Sequence, residues 1–192
     1  IMSSIASIPV APGFNEQPPQ AARARMLGAV MEAFERAGLR YAILHGYEHY
    51  PERIRSDVDC VVDPKVPLRT LHRIVHEAAA KCGAKLVRAR GYHVILAGHD
   101  GSDAPVFLIL DLCRDAETGG LTFYAGAEIL NSRRKHRGFW IPAPDVAFGA
   151  YVARCVARGT LDQHRIDALG GLYSQDPEGC ERQLQRLWSS KD

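Results

Sequence analysis

A chain of 192 residues is long enough for one compact α/β domain, or for a small domain with a helical appendage. With 46% hydrophobic and 24% charged residues it can bury a core unaided, which excludes a disordered chain and a cysteine-stapled mini-domain. The formal charge of +2 is too small to draw nucleic acid or an anionic membrane by electrostatics alone, so neither is an expected partner.

Residues 1–20 lack the basic start and long apolar stretch of a signal peptide, and Pro9, Pro12, Pro18 and Pro19 interrupt them. They read as an extended, poorly ordered arm. Ala21–Ala37 has Met26, Leu27, Val30, Met31 and Phe34 at helical spacing, with Gly38 as the stop. Arg40–Leu44 reads as a short buried strand ending at Gly46, and the polar stretch His45–Arg55 as a loop. Asp57–Val62 is a strand closed by Asp63-Pro64, and Leu68–Lys81 a helix with Leu71, Ile74, Val75 and Ala78 inward. Lys85–Arg90 and Tyr92–Ala97 predict strands joined at Gly91, and Pro105–Cys113 is the most apolar strand. Beyond Asp115 a glycine-containing loop leads to Phe139–Pro142. From Pro144 onward the pattern predicts helices over Asp145–Arg158, Leu161–Tyr173 and Pro177–Trp188, started by Asp145, Thr160 and Asp176.

This order predicts an arm over 1–20, a mixed α/β sheet domain over 21–143 and a small helical bundle over 144–192. The five cysteines are scattered and form no CxxC pair, which fits reduced thiols; Cys60 and Cys113 read as small core residues. No run reaches membrane-helix length, and the expectation is a soluble, cytoplasmic protein. The basic run Arg133–Arg137 reads as a solvated loop in preference to an anion contact.

Chemistry concentrates in Leu44-His45-Gly46 and in Ser56-Asp57-Val58-Asp59-Cys60-Val61-Val62. Strand side chains alternate, so Asp57 and Asp59 share one face while Val58, Cys60 and Val62 fill the other. Carboxylates so close repel unless water reaches both or a cation sits between them, and Mg²⁺ takes such hard oxygen ligands. Asp111 interrupts an otherwise apolar strand, where a lone carboxylate is costly unless paired or metal-bound. If the two strands are neighbours the three acids converge, and such a cluster can hold two metal ions roughly 3.5–4 Å apart.

The order of strand, glycine loop, Ser-Asp-x-Asp strand and later strand aspartate resembles the nucleotidyltransferase superfamily of the polymerase-beta type, over about Leu39–Cys113. More narrowly, the Gly-Tyr-Glu, Pro-Glu and Ser-Asp-x-Asp phrasing is similar to nucleotidyltransferase-like proteins of bacterial surface-polysaccharide gene clusters. The resemblance implies that Asp57, Asp59 and Asp111 bind two Mg²⁺ ions (Mn²⁺ as a substitute), and that Asp111 is also the base for an acceptor hydroxyl. It implies that the loop after Leu44 cradles an NTP, with Gly46, Tyr47, Arg53, Arg55 and Ser56 as candidate nucleotide contacts. The implied activity is transfer of a nucleoside monophosphate to a hydroxyl of a small molecule, sugar or protein, by a chain that can act as a homodimer. Where the family has Gly-Ser or Gly-Gly, this chain has Gly46-Tyr47, a bulky ring where backbone amides should approach phosphate. That departure supports a second reading, a catalytically degenerate member that binds nucleotide or a partner protein without turnover. Among lesser candidates, His45 is placed to reach a phosphate, Tyr47 or Tyr50 to stack on a base, and Asp63 simply to end its strand.

Overall fold

The structure, a computed structural model, describes residues 17–118 and 120–189. Helix α1 (Gln17–Arg36) sends Ala22, Met26, Leu27, Val30, Met31 and Phe34 into the core. Strand β1 (Tyr41–Ile43) and strand β2 (Val58–Val62) follow, then helix α2 (Leu68–Lys81), which buries Leu71, Ile74, Val75, Ala78 and Ala79. Strands β3 (Lys85–Arg90), β4 (His93–Gly98) and β5 (Val106–Cys113) complete a five-stranded sheet of order β1-β2-β5-β4-β3. β2 and β5 run parallel and the other neighbours antiparallel.

Period-two alternation gives the sheet two unlike faces. Tyr41, Ile43, Val58, Cys60, Val62, Val94, Leu96, Leu108, Leu110 and Leu112 pack beneath α1 and α2 in the main core. Each such large apolar side chain contributes on the order of 1.5–3 kcal/mol when fully buried. The opposite face carries Asp59 and Asp111, and over its β1–β2 half lies a smaller core of Ala42, Val61, Tyr124, Ile129, Leu130 and Val146.

That second core is built by a segment expected to be a loop. It holds the hairpin β6 (Ala116–Thr118) and β7 (Leu121–Tyr124), helix α3 (Gly126–Ser132), and the hairpin β8 (Arg134–His136) and β9 (Phe139–Ile141). These elements are too short to show a period in sequence. Gly126 is required at the start of α3, because a Cβ there would lie 1.7 Å from the Arg114 carbonyl oxygen. The basic run forms β8 and its flanks: Lys135 pairs with Glu35, Arg137 with Glu52, Arg134 donates to Gln175, and Arg133 and Lys135 lie over Trp140.

The C-terminal part is helical: α4 (Pro144–Arg158), α5 (Gln163–Tyr173) and α6 (Pro177–Ser189). Asp162, not Thr160, caps α5 through the Arg165 amide, and Asp176 accepts from the Gly179 amide at the head of α6. α1 begins at Gln17, inside the stretch expected as an arm; prolines are tolerated in a first turn, where the amides lack helical partners anyway. The rest of that arm lies outside the described residues. No helix among them is long and apolar enough to cross a membrane.

Candidate active site

Asp59 and Asp111 are register partners on the adjacent parallel strands β2 and β5, and the row continues to His93 on β4. All three side chains stand on the face away from α1 and α2. Asp59 and Asp111 open into a cavity of about 370 Å³ that is also lined by His45, Tyr92, Arg114, Tyr151, Arg154 and Arg158. Its floor is the C-terminal end of β5, and its far wall is α4. Tyr151, Arg154 and Arg158 fall at i, i+3 and i+7, one helix face, so all three reach the same space.

Each acid is matched with a cation or an imidazole. Arg154 donates to Asp59 Oδ1 at 3.2 Å and to His45 Nε2 at 2.6 Å. A guanidinium has donors only, so His45 Nε2 is an unprotonated acceptor, and its 3.4 Å approach to Asp59 is proximity without a shared proton. Burial agrees, holding the His45 imidazole below its ordinary range against the pull of Asp59, with Arg154 adding to the depression. His45 also stacks on Tyr151, with ring centroids 5.5 Å apart. On the neighbouring strand His93 Nδ1 donates to Asp111 Oδ1 at 2.5 Å.

Asp57 is exposed immediately ahead of β2 and does not line the cavity. It stands close enough to Asp59 that both carboxylates, after burial itself, help push the Tyr50 hydroxyl up to about 12. Among the described residues no three histidine, cysteine or acid side chains are gathered closely enough to hold one metal ion. The donor chemistry nevertheless fits a divalent ion at Asp59 and Asp111. Two carboxylates meet on one row, Arg154 can yield Asp59 to a cation, and His93 engages only one oxygen of Asp111.

The loop after β1 turns at Gly46, whose φ of +74° favours glycine. Tyr47 does not face the acids: it is 6% exposed and its ring packs in the main core and against His136, with centroids 5.5 Å apart. The bulk read from Gly46-Tyr47 therefore packs into the core, away from the acids. Tyr50 is likewise buried, at 2% exposure. Arg53, Arg55 and Ser56 are exposed ahead of β2 and do not line the cavity; the Ser56 hydroxyl reaches only the Asp57 carbonyl, at 3.4 Å. A loop before a strand need not fold over that strand's end, and here it runs outside. Asp63 ends β2 as expected, tied to Arg40 at 3.0 Å and to the Lys65 amide. Cys113 packs against the second core and also borders the cavity, and burial, with Asp59 next, pushes its thiol up to about 12, so it is no nucleophile. The cavity's arginines and His93 were missed in sequence. The i, i+3, i+7 spacing on α4 was the available signal for Arg154 and Arg158; nothing local marked His93.

A five-stranded mixed sheet flanked by helices and followed by a helical C-terminal part matches a nucleotidyltransferase fold. Comparison of structures agrees. The chain is similar to the antibiotic-resistance factor ANT(2'')-Ia in solution, with TM-score 0.55 and 11% identity over 88% of this chain and 93% of that one. It is similar also to ANT(2'')-Ia crystallised with adenylyl-2''-tobramycin, with TM-score 0.57 and 13% identity over 88% and 98% of the two chains. No protein-family model matches the sequence, and no curated protein matches it.

Proposed function

We propose that this protein is a nucleotidyltransferase that moves a nucleoside monophosphate from an NTP to a hydroxyl group of a small molecule, sugar or protein. The observation that carries the reading is the in-register pair Asp59 and Asp111, opening into a cavity walled by Arg114, Arg154 and Arg158 in this fold. The adenylyl-tobramycin complex of the structural neighbour supports the same reaction type, a nucleotide joined to an acceptor hydroxyl.

Asp59 and Asp111, with Asp57 at the mouth of the strand, would hold divalent magnesium, which when bound neutralises phosphate charge at the reacting centre. Arg154 and Arg158 present guanidinium forks to the triphosphate, and Arg154 exchanges its bond to Asp59 for phosphate oxygens. Asp111 accepts the proton of the acceptor hydroxyl as its oxygen bonds to the α-phosphorus. The bridging oxygen between the α- and β-phosphates leaves with pyrophosphate. His93 holds the Asp111 carboxylate in orientation from the next strand.

The test is incubation with each labelled NTP, Mg²⁺ and a panel of hydroxyl compounds, reading pyrophosphate and nucleotidylated product. We expect both, with turnover lowered by roughly 10²–10⁴-fold in Asp111→Asn while the variant still folds. Pyrophosphate release unchanged in Asp59→Asn and Asp111→Asn would sink the proposal. A second reading, a fold member that binds nucleotide without turnover, is favoured by the engagement of Asp59 with Arg154 and by the position of Asp57 outside the cavity. Its mark is an NTP that binds by calorimetry and is recovered intact.

A further inference from the structure

The face that carries Asp59 and Asp111 is covered unequally. α3, α4 and the β6–β7 hairpin build the second core over the β1–β2 half. Among the described residues nothing covers the same face across β5, β4 and β3: Phe107 is 44% exposed, Ile95 and Ile109 are half-buried, and Arg88 and Arg90 are exposed. Register places these side chains together. Arg90 is opposite His93, which is opposite Asp111, and Arg88 is opposite Ile95, which is opposite Ile109. Further along β3, past its bulge, Lys85 is opposite Ala97, which is opposite Phe107.

This half-face is therefore an apolar strip with a basic margin, continuous with the carboxylate row. Arg88 and Arg90 form no ion pair or hydrogen bond among the described residues, whereas the arginines of the β8 region and of α6 are each matched with a partner. Asp111 is the only acid that β3, β4 and β5 contribute to these rows, and it is already matched with His93. Asp100 and Asp103, in the turn between β4 and β5, lie at the Lys85 end, away from Arg90. At the other end Arg114 lies over Tyr92, 5.4 Å from the ring centroid, beside the cavity mouth. Two unpaired guanidinium groups on alternate positions of a strand attract anions and repel polycations.

We propose that this open half-face seats the acceptor and that the acceptor is a phosphate-bearing hydroxyl compound of sugar or polyol size. Its phosphate is held by Arg88 and Arg90 and its hydroxyl is presented to Asp111. The inference rests on the nucleotidyl-transfer reading of the same site. β3 lies two strand spacings from β5, roughly 10 Å, which a phosphorylated sugar bridges once an arginine side chain reaches inward. The apolar strip of Ile95 and Ile109 supports the ring between its two polar ends.

The test pairs acceptors that differ only in the phosphate: glucose with glucose 6-phosphate, N-acetylglucosamine with its 6-phosphate, and ribitol with ribitol 5-phosphate. Binding is read by calorimetry on the full chain, and pyrophosphate release with Mg²⁺ and each NTP is read separately. The phosphorylated member of at least one pair should bind at least tenfold more tightly than its partner. Arg88→Glu with Arg90→Glu should abolish that preference while NTP affinity stays within twofold. No preference in any pair, an equal preference in the double variant, or tighter binding of a polycation such as tobramycin would overturn this proposal and leave nucleotidyl transfer standing. Absence of NTP turnover with every acceptor, alongside a phosphate preference that depends on Arg88 and Arg90, would instead sink the catalytic reading and leave the anionic seat in place.

Discussion

Arg154 holds the most consequential contact in the cavity, because it occupies the carboxylate that a divalent ion and a triphosphate would need. A pair largely withdrawn from water is costly to break by deleting one partner, and cheap to exchange when a new counter-charge arrives. Arg154→Met is therefore expected to raise KM for the NTP at least tenfold, about 1.4 kcal/mol of lost binding, with a smaller effect on kcat; steady-state kinetics at saturating acceptor would read it. An unchanged KM would show that α4 does not touch the nucleotide. Remote from the acids, His136 has its Nε2 atom buried with no hydrogen-bond partner among the described residues, and burial, then Arg134 and Arg137, depress its pKa. As pH falls through about 6.5 the unfolded chain takes up a proton that the folded chain refuses. The stability tied to His136 is thus complete above that pH and is lost progressively below it. Urea denaturation at pH 7.5 and 5.0 should show a smaller acid loss for His136→Phe than for the parent, and equal losses would refute this assignment.

Among the elements, α4 transmits packing to the site. Gly149 lies where a Cβ would come within 2.0 Å of the Tyr124 hydroxyl, itself bonded to Gln183 of α6 at 2.8 Å. Gly149→Ala should destabilise the fold by about 1–3 kcal/mol, as overpacking does, and should lower activity by moving Tyr151 and Arg154 with the helix. Thermal denaturation and turnover read both effects, and adding Tyr124→Phe should restore part of each, since it removes the nearest atom. A Gly149→Ala protein of parental stability would contradict this packing account. The long periodic elements are legible in the amino-acid pattern alone. α2 starts and ends where that pattern places it, and the strands carrying Asp59 and Asp111 fall within a residue or two of their expected bounds. What stayed hidden were short elements between residues 115 and 142, whose stability comes from packing on β1 and β2 and not from any repeat of their own.

For the whole molecule, local signals in the sequence put Asp59 and Asp111 on one row, but showed neither that Asp57 lies outside the cavity nor which side chains answer the pair. Asp59 and Asp111 follow from alternation and an interrupted apolar strand, both local signals. Their pairing with Arg154 and His93 depends on where α4 docks and on the register of β4, which only the assembled fold determines. Arg53, Arg55 and Ser56 lie outside the cavity lining for the same reason: nearness in sequence to Asp57 did not make them its neighbours.

The most direct test is a crystal of the protein soaked with Mn²⁺ and a non-hydrolysable NTP. The account predicts anomalous density between the carboxylates of Asp59 and Asp111, and Arg154 moved from Asp59 to phosphate oxygen. A map with no ion there, Arg154 still on Asp59 and the nucleotide seated elsewhere would contradict it.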